Sequence, residues 1–282
     1  MKKQATVWVF LRGLIRESGH WGTFPEQFQK AFPDHHILTI DLPGNGIQHL
    51  NDSPTSMSDY ARFAHGELQK ALFDLKDEGP YQINLLAISL GGMVAIEWNR
   101  LYPGIFKRAV LMNTSIKGVS PMTQRLRAKN YPKILNLILN PWVKNIEAQI
   151  LELVCNDLKK RAVTAVAWNK IRDERPVSTA NSIRQIRAAL GFRPDISSLN
   201  IATLLLGSEK DNLVSCQCSK DLHKTVPSQL ELHPWAGHDL GLDDPDWVIE
   251  KVQNWLLKQD KELEKTTTSS NVSREKPANS SL

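Results

Sequence analysis

Three residue types that together can break an acyl bond occur in this chain in a telling order: a serine at 89, a carboxylate at 211 and a histidine at 238. Ser89 lies in Leu85-Leu86-Ala87-Ile88-Ser89-Leu90-Gly91-Gly92, one hydroxyl between an apolar run and paired glycines. A serine on a sharp turn between a buried strand and a helix presents its Oγ as a nucleophile, while residues two before and two after it nearly touch. Only small side chains fit there, and Ala87 and Gly91 are small. The commoner pattern has glycine at both positions; alanine at the first keeps the size and weakens the motif. A serine before a helix can also be a simple N-cap, so the partners must decide.

The acid candidate is Asp211, in Leu206-Gly207-Ser208-Glu209-Lys210-Asp211-Asn212, where an apolar strand runs out into a polar loop. Open α/β sheets gather their chemistry at that edge. Glu209, two residues nearer the strand, is its rival. The base candidate is His238, in Pro234-Trp235-Ala236-Gly237-His238-Asp239, after the last short strand, where Gly237 gives the loop freedom to aim the ring. His35, His36, His49, His65 and His223 read as surface or satisfied side chains, and His233 as a packed residue at a strand end.

The elements that must position these groups are legible as apolar runs. Thr6–Leu11, His36–Ile40, Gln82–Ile88, Ala109–Met112, Ile201–Leu206 and Gln229–His233 suit strands covered on both faces. Helical stretches at Trp21–Phe32, Met57–Leu75, Gly91–Leu101, Cys216–His223 and Asp246–Leu257 separate or follow them. The alternation predicts an α/β fold with a mostly parallel sheet and helices on both faces. From Lys117 to Arg193 no strand is evident, while Ile134–Leu139, Ile146–Val154 and Ala162–Ile171 read as helices. The expected organisation is a core of residues 1–116 and 194–258, a helical lid insertion at 117–193, and a disordered polar tail at 259–282. The insertion is basic, with fifteen Lys/Arg against five Asp/Glu; a solvated face is the plainer meaning, attraction of acidic substrates the other.

Composition narrows the rest. At 282 residues, 41% hydrophobic and 23% charged, with a net charge of +5, the chain resembles an ordinary globular protein. It has no long run of like charges, so nucleic acid is not an expected partner, and no membrane span is evident. The short apolar start is ended by Arg12 without a cleavage site, which implies a cytoplasmic chain. Three cysteines without metal-ligand spacing support neither a disulfide framework nor a zinc site. The glycines of Asp41-Leu42-Pro43-Gly44-Asn45-Gly46 serve a turn; no phosphate loop follows, and no cofactor or metal is expected.

Ser89, Asp211 and His238 in that chain order, with the segments around Arg12-Gly13-Leu14, Ser18-Gly19-His20-Trp21 and Asp41–Gly46, resemble the α/β-hydrolase superfamily, particularly small bacterial carboxylesterases that cleave pimeloyl esters. The likeness covers nearly the whole chain apart from the tail. It implies that Ser89, His238 and Asp211 are a catalytic triad and that the backbone N–H groups of Leu14 and Leu90 form an oxyanion hole. It implies hydrolysis of a small or medium carboxylic ester through an acyl-enzyme. Thioesterase, carbon–carbon bond hydrolase or acyltransferase chemistry on the same triad, or a non-catalytic binding protein of the same fold, are the alternatives. Many members have an N-terminal hairpin before the first strand; here a trimmed sheet edge is expected. Where the family usually has His-Gly, this chain has Arg12-Gly13, so Arg12 is expected to brace the oxyanion loop or to meet a carboxylate on the substrate.

Overall fold

The computed structural model describes residues 5–75, 80–140 and 145–272. Among them are six strands: β1 (Thr6–Leu11), β2 (His35–Ile40), β3 (Gln82–Ile88), β4 (Phe106–Met112), β5 (Ala202–Ser208) and β6 (Ser228–His233). All pair in parallel, in the order β2-β1-β3-β4-β5-β6. The helices are α1 (Phe24–Ala31), α2 (Met57–Asp74), α3 (Leu90–Leu101), α4 (Met122–Arg125), α5 (Tyr131–Leu139), α6 (Ile146–Val154), α7 (Leu158–Glu174), α8 (Thr179–Gly191), α9 (Gln217–His223), α10 (Leu240–Asp243) and α11 (Pro245–Val272).

The pleat sorts each strand between two cores. Val7, Val9 and Leu11 of β1 join Leu85 and Ala87 of β3 against α2 and α3, including Tyr60, Leu68 and Trp98. Trp8, Phe10, Leu86 and Ile88 face the other way, onto Phe24 and Phe28 of α1 and Val248, Val252 and Trp255 of α11. Burial on both faces is why these strands read as unbroken apolar runs; each large side chain so buried stabilises the fold by about 1.5–3 kcal/mol. Five helices, α4 to α8, fill the insertion between β4 and β5. They carry a third, smaller core of Leu151, Leu153, Val154, Cys155 and Trp168.

Two outcomes differ from the sequence reading. Helix α8 was not among the helices expected from the sequence, and its buried residues include Asn181, Ser182 and Gln185. Helix α11 continues past residue 258 to Val272, through the start of the segment expected to be a disordered tail. Its Lys, Gln, Asp and Glu residues are mostly good helix formers, and Asp260 accepts a 2.7 Å hydrogen bond from Nη2 of Arg108, a cation buried on β4. Residues 273–282 lie outside the described residues.

Candidate active site

Strand β3 ends at Ile88, and the chain turns through Ser89 into α3. Ser89 has φ 56° and ψ −119°, in the positive-φ region that disfavours a side chain, and its hydroxyl makes no capping bond to the helix it precedes. The simple N-cap reading therefore fails. Such strain costs about 1–3 kcal/mol and persists only where the surroundings impose it. They do so here: a Cβ on Gly91 would lie 2.5 Å from the carbonyl oxygens of both Leu11 and Arg12, and Ala87 is completely buried. The elbow is thus clamped against the end of β1, and the backbone N–H of Ser89 donates to Met112 O at 2.9 Å.

Asp211 follows β5 and is almost fully buried. Its Oδ1 accepts from the N–H groups of Leu213 and Val214 at 2.7 and 2.9 Å, and its Oδ2 accepts from His238 Nδ1 at 2.7 Å. Glu209 is exposed, so the loop brings Asp211 to the histidine and leaves its rival in solvent. Burial works against a charged His238, but the charge and hydrogen bond of Asp211 outweigh it, and the ring is held above the ordinary histidine pKa. Asn113, just after β4, donates from Nδ2 to His238 O at 2.8 Å. Gly237 is needed for room, not for freedom of the loop: its φ is not positive, and a Cβ there would lie 2.7 Å from Val154 O of the insertion.

Ser89, His238, Leu14 and Leu90 all line one cavity of about 440 Å³ between the sheet edge and the insertion. The N–H groups of Leu14 and Leu90 have no acceptor among the described residues. The loop carrying Leu14 is itself strained, since the β-branched Ile15 has φ 56°. Its N–H donates to Oε1 of Gln185 on α8 at 2.8 Å. Of the apolar insertion residues, Leu126, Tyr131, Ile134, Leu137 and Trp168 line the cavity, whereas Val166 is 73% exposed on α7. The side chain of Ile138 and all of Trp142 lie outside the described residues.

Arg12 meets a carboxylate of the protein itself. Its Nη1 and Nη2 donate to Oδ1 and Oδ2 of Asp239 at 3.2 and 2.5 Å, with both side chains buried, and its guanidinium sits 4.6 Å from the centre of the Trp21 ring. The pair ties the loop after β1 to the residue following His238. Sequence reasoning missed Asp239 as a partner 227 residues away, although a buried arginine in place of histidine demands a counter-charge. Arg12→Met, which leaves Asp239 buried and alone, is expected to cost about 3–5 kcal/mol of stability; urea unfolding of the variant measures it.

His233 is packed as expected, between Trp235 and Trp247, with Nε2 on Asp244 at 3.1 Å. Cys155 and Cys218 are buried thiols, the latter pushed up to about 11 chiefly by burial. Cys155 donates to Asp243 Oδ1, and the same carboxylate accepts from the N–H groups of Asn156, Asp157 and Gly237, joining the insertion to the histidine loop. Among the described residues no helix is long and apolar enough to cross a membrane.

The chain is similar along most of its length to proteins of known kind. It is 24% identical over 259 residues to the "Putative 2-succinyl-6-hydroxy-2,4-cyclohexadiene-1-carboxylate synthase" of Bacillus subtilis, covering 88% of this chain and 89% of that one. It is 22% identical over 269 residues to the biotin biosynthesis bifunctional protein BioHC of Teredinibacter turnerae, covering 90% of this chain and 45% of that one. Among solved structures, a thermophilic esterase from Thermogutta terrifontis superposes with a TM-score of 0.66 at 21% identity, over 91% of this chain and 90% of that one. The model of the alpha/beta hydrolase family matches residues 8–251, and the chain belongs to that family.

Proposed function

We propose that this protein is a serine hydrolase that cleaves carboxylic esters of small or medium acyl groups. The observation that carries the reading is His238, hydrogen-bonded to the buried Asp211 and lining the same cavity as the strained Ser89. Ser89 Oγ attacks the ester carbonyl carbon while His238 Nε2 takes its proton, and Asp211 holds the ring with Nδ1 protonated. The tetrahedral oxygen accepts from the N–H groups of Leu14 and Leu90, each donor typically worth about 3 kcal/mol in the transition state. The alcohol leaves with the proton from His238. Water then adds to the acyl-enzyme as His238 takes one of its protons, and that proton returns to Ser89 as the acid departs.

Residues 117–193 act in this reading as a lid that supplies much of the apolar wall. Fluorophosphonate labelling tests the nucleophile: modification at Ser89, lost in Ser89→Ala, is the expected outcome, and an unreactive wild-type chain sinks the assignment. The cavity volume sets a size limit. Across p-nitrophenyl esters from two to sixteen carbons, kcat/KM is expected to peak at short or medium chains and fall at least about tenfold at the longest. A flat profile would remove the size argument.

A further inference from the structure

Among the described residues, four that line the cavity each keep a buried side-chain donor without a hydrogen-bond partner: Arg12 Nε, His20 Nε2, Asn45 Nδ2 and Arg125 Nε. The assignments of the two ambiguous groups follow from backbone N–H groups. Glu17 N–H donates to His20 Nδ1 at 3.1 Å, and burial, then the charges of Arg16 and Arg12, hold the ring well below the ordinary histidine pKa. The ring is neutral and Nε2 carries its proton. Ile15 N–H fixes Gln185 Oε1 as an acceptor, so Gln185 Nε2 donates to Asn45 Oδ1 at 3.0 Å and leaves Asn45 Nδ2 as an unused donor. Buried donors without acceptors give the surroundings of the cavity an excess of positive N–H groups.

Charge points the same way. Among the described residues, three of the arginines that line the cavity pair with the three carboxylates that line it. Arg12 is paired with Asp239, Arg16 with Glu147 at 2.9 Å, and Arg175 with Glu17 at 2.6 Å. Arg125, at the end of α4, is 8% exposed and has no carboxylate partner among the described residues. Its Nη2 donates to Ala189 O at 2.7 Å, which fixes the side chain without neutralising it. Burial lowers its pKa, with Cys218 acting in the opposite sense. A buried guanidinium without a counter-ion is unfavourable in the empty protein and favourable once an anion arrives.

We propose that the cavity receives an ester whose far end carries a carboxylate, and that Arg125 is the cation facing that carboxylate. Turnover of such a half-ester rests on the reading of Ser89 as nucleophile; binding of its carboxylate does not. Most of the surface that the cavity presents is apolar, which suits the methylene chain between the two ends.

The test compares the monomethyl and dimethyl esters of the same α,ω-dicarboxylic acids, from four to eight carbons. Wild type is expected to favour the monomethyl ester at its best length by about tenfold or more in kcat/KM. Arg125→Met should lower the ratio of monomethyl to dimethyl kcat/KM by about 10- to 100-fold, chiefly through KM, with Arg125→Lys falling less. Calorimetry with Ser89→Ala should detect the monomethyl ester more tightly than the dimethyl ester, and the difference should vanish in Ser89→Ala/Arg125→Met. Loss of the Ala189 contact can destabilise the variant, so the wild-type preference and the calorimetry of Ser89→Ala are decisive alone. Equal handling of the two esters by wild type and by Ser89→Ala overturns the carboxylate site. Absence of labelling and turnover with selective monomethyl binding would overturn the hydrolase reading and leave the carboxylate site standing.

Discussion

Replacing Ser89 by alanine is expected to lower kcat for the best ester by roughly 10⁴- to 10⁶-fold, the scale seen when a triad nucleophile is removed. The loss should come without unfolding. Ser89 makes no capping bond, and alanine at φ 56° bears the same backbone strain as serine. Ser89→Gly sharpens the test. Glycine tolerates this backbone, so the glycine variant should be about 1 kcal/mol more stable than wild type while being equally inactive. Thermal unfolding beside steady-state kinetics measures both, and comparable turnover by wild type and Ser89→Ala would remove Ser89 from the chemistry.

Asp211→Asn is expected to lower kcat by about 10⁴-fold, because an amide in that place favours the wrong tautomer of the imidazole. Glu209→Gln, on an exposed side chain of the same loop, should change it little. The pH profile gives an independent reading. A general base must be neutral, so the acid limb of kcat/KM should lie above the ordinary histidine range in wild type, where Asp211 outweighs burial. Without the carboxylate charge the balance reverses, and the limb moves to lower pH. Stability carries the opposite dependence. A raised folded-state pKa means that the pairing contributes fully below the unfolded value of about 6.5 and loses that contribution as pH rises through the folded value. The stability deficit of Asp211→Asn should therefore be larger at pH 5 than at pH 8.

How much of this was legible in the sequence depended on whether a residue's surroundings are local or distant. Strands β1 and β3 could be bounded from the chain alone, since burial on both faces leaves a run of apolar residues with polar ends. The small residues at Ala87 and Gly91 were legible because a tight turn imposes its own size rule. Helix α8 was missed although Ile183, Ile186 and Leu190 fall at helical spacing; what its sequence did not show is that Asn181, Ser182 and Gln185 are buried with it. The partner of Arg12 was equally hidden: nothing in Arg12-Gly13 says that the counter-charge is Asp239. The candidate triad could be ordered by chain position with Asp211 ahead of Glu209; the loop adds the reason, since two of its N–H groups grip one oxygen of the Asp211 carboxylate and turn the other to the ring.

The bond from Ile15 to Gln185 joins a strained loop of the core to a helix of the insertion. Ile15 keeps an unfavourable backbone angle, and the amide of α8 is one of the contacts that hold it there. A swing of α8 outward would break that contact and free the loop to relax, shifting the Leu14 N–H with it. Whatever favours the inward position of α8 must, by reciprocity, also favour the tensed form of the loop, and the converse holds with the same free energy. In the proposed reaction, a substrate whose entry moved α8 outward would therefore meet a Leu14 N–H whose loop had lost one of the contacts that hold it.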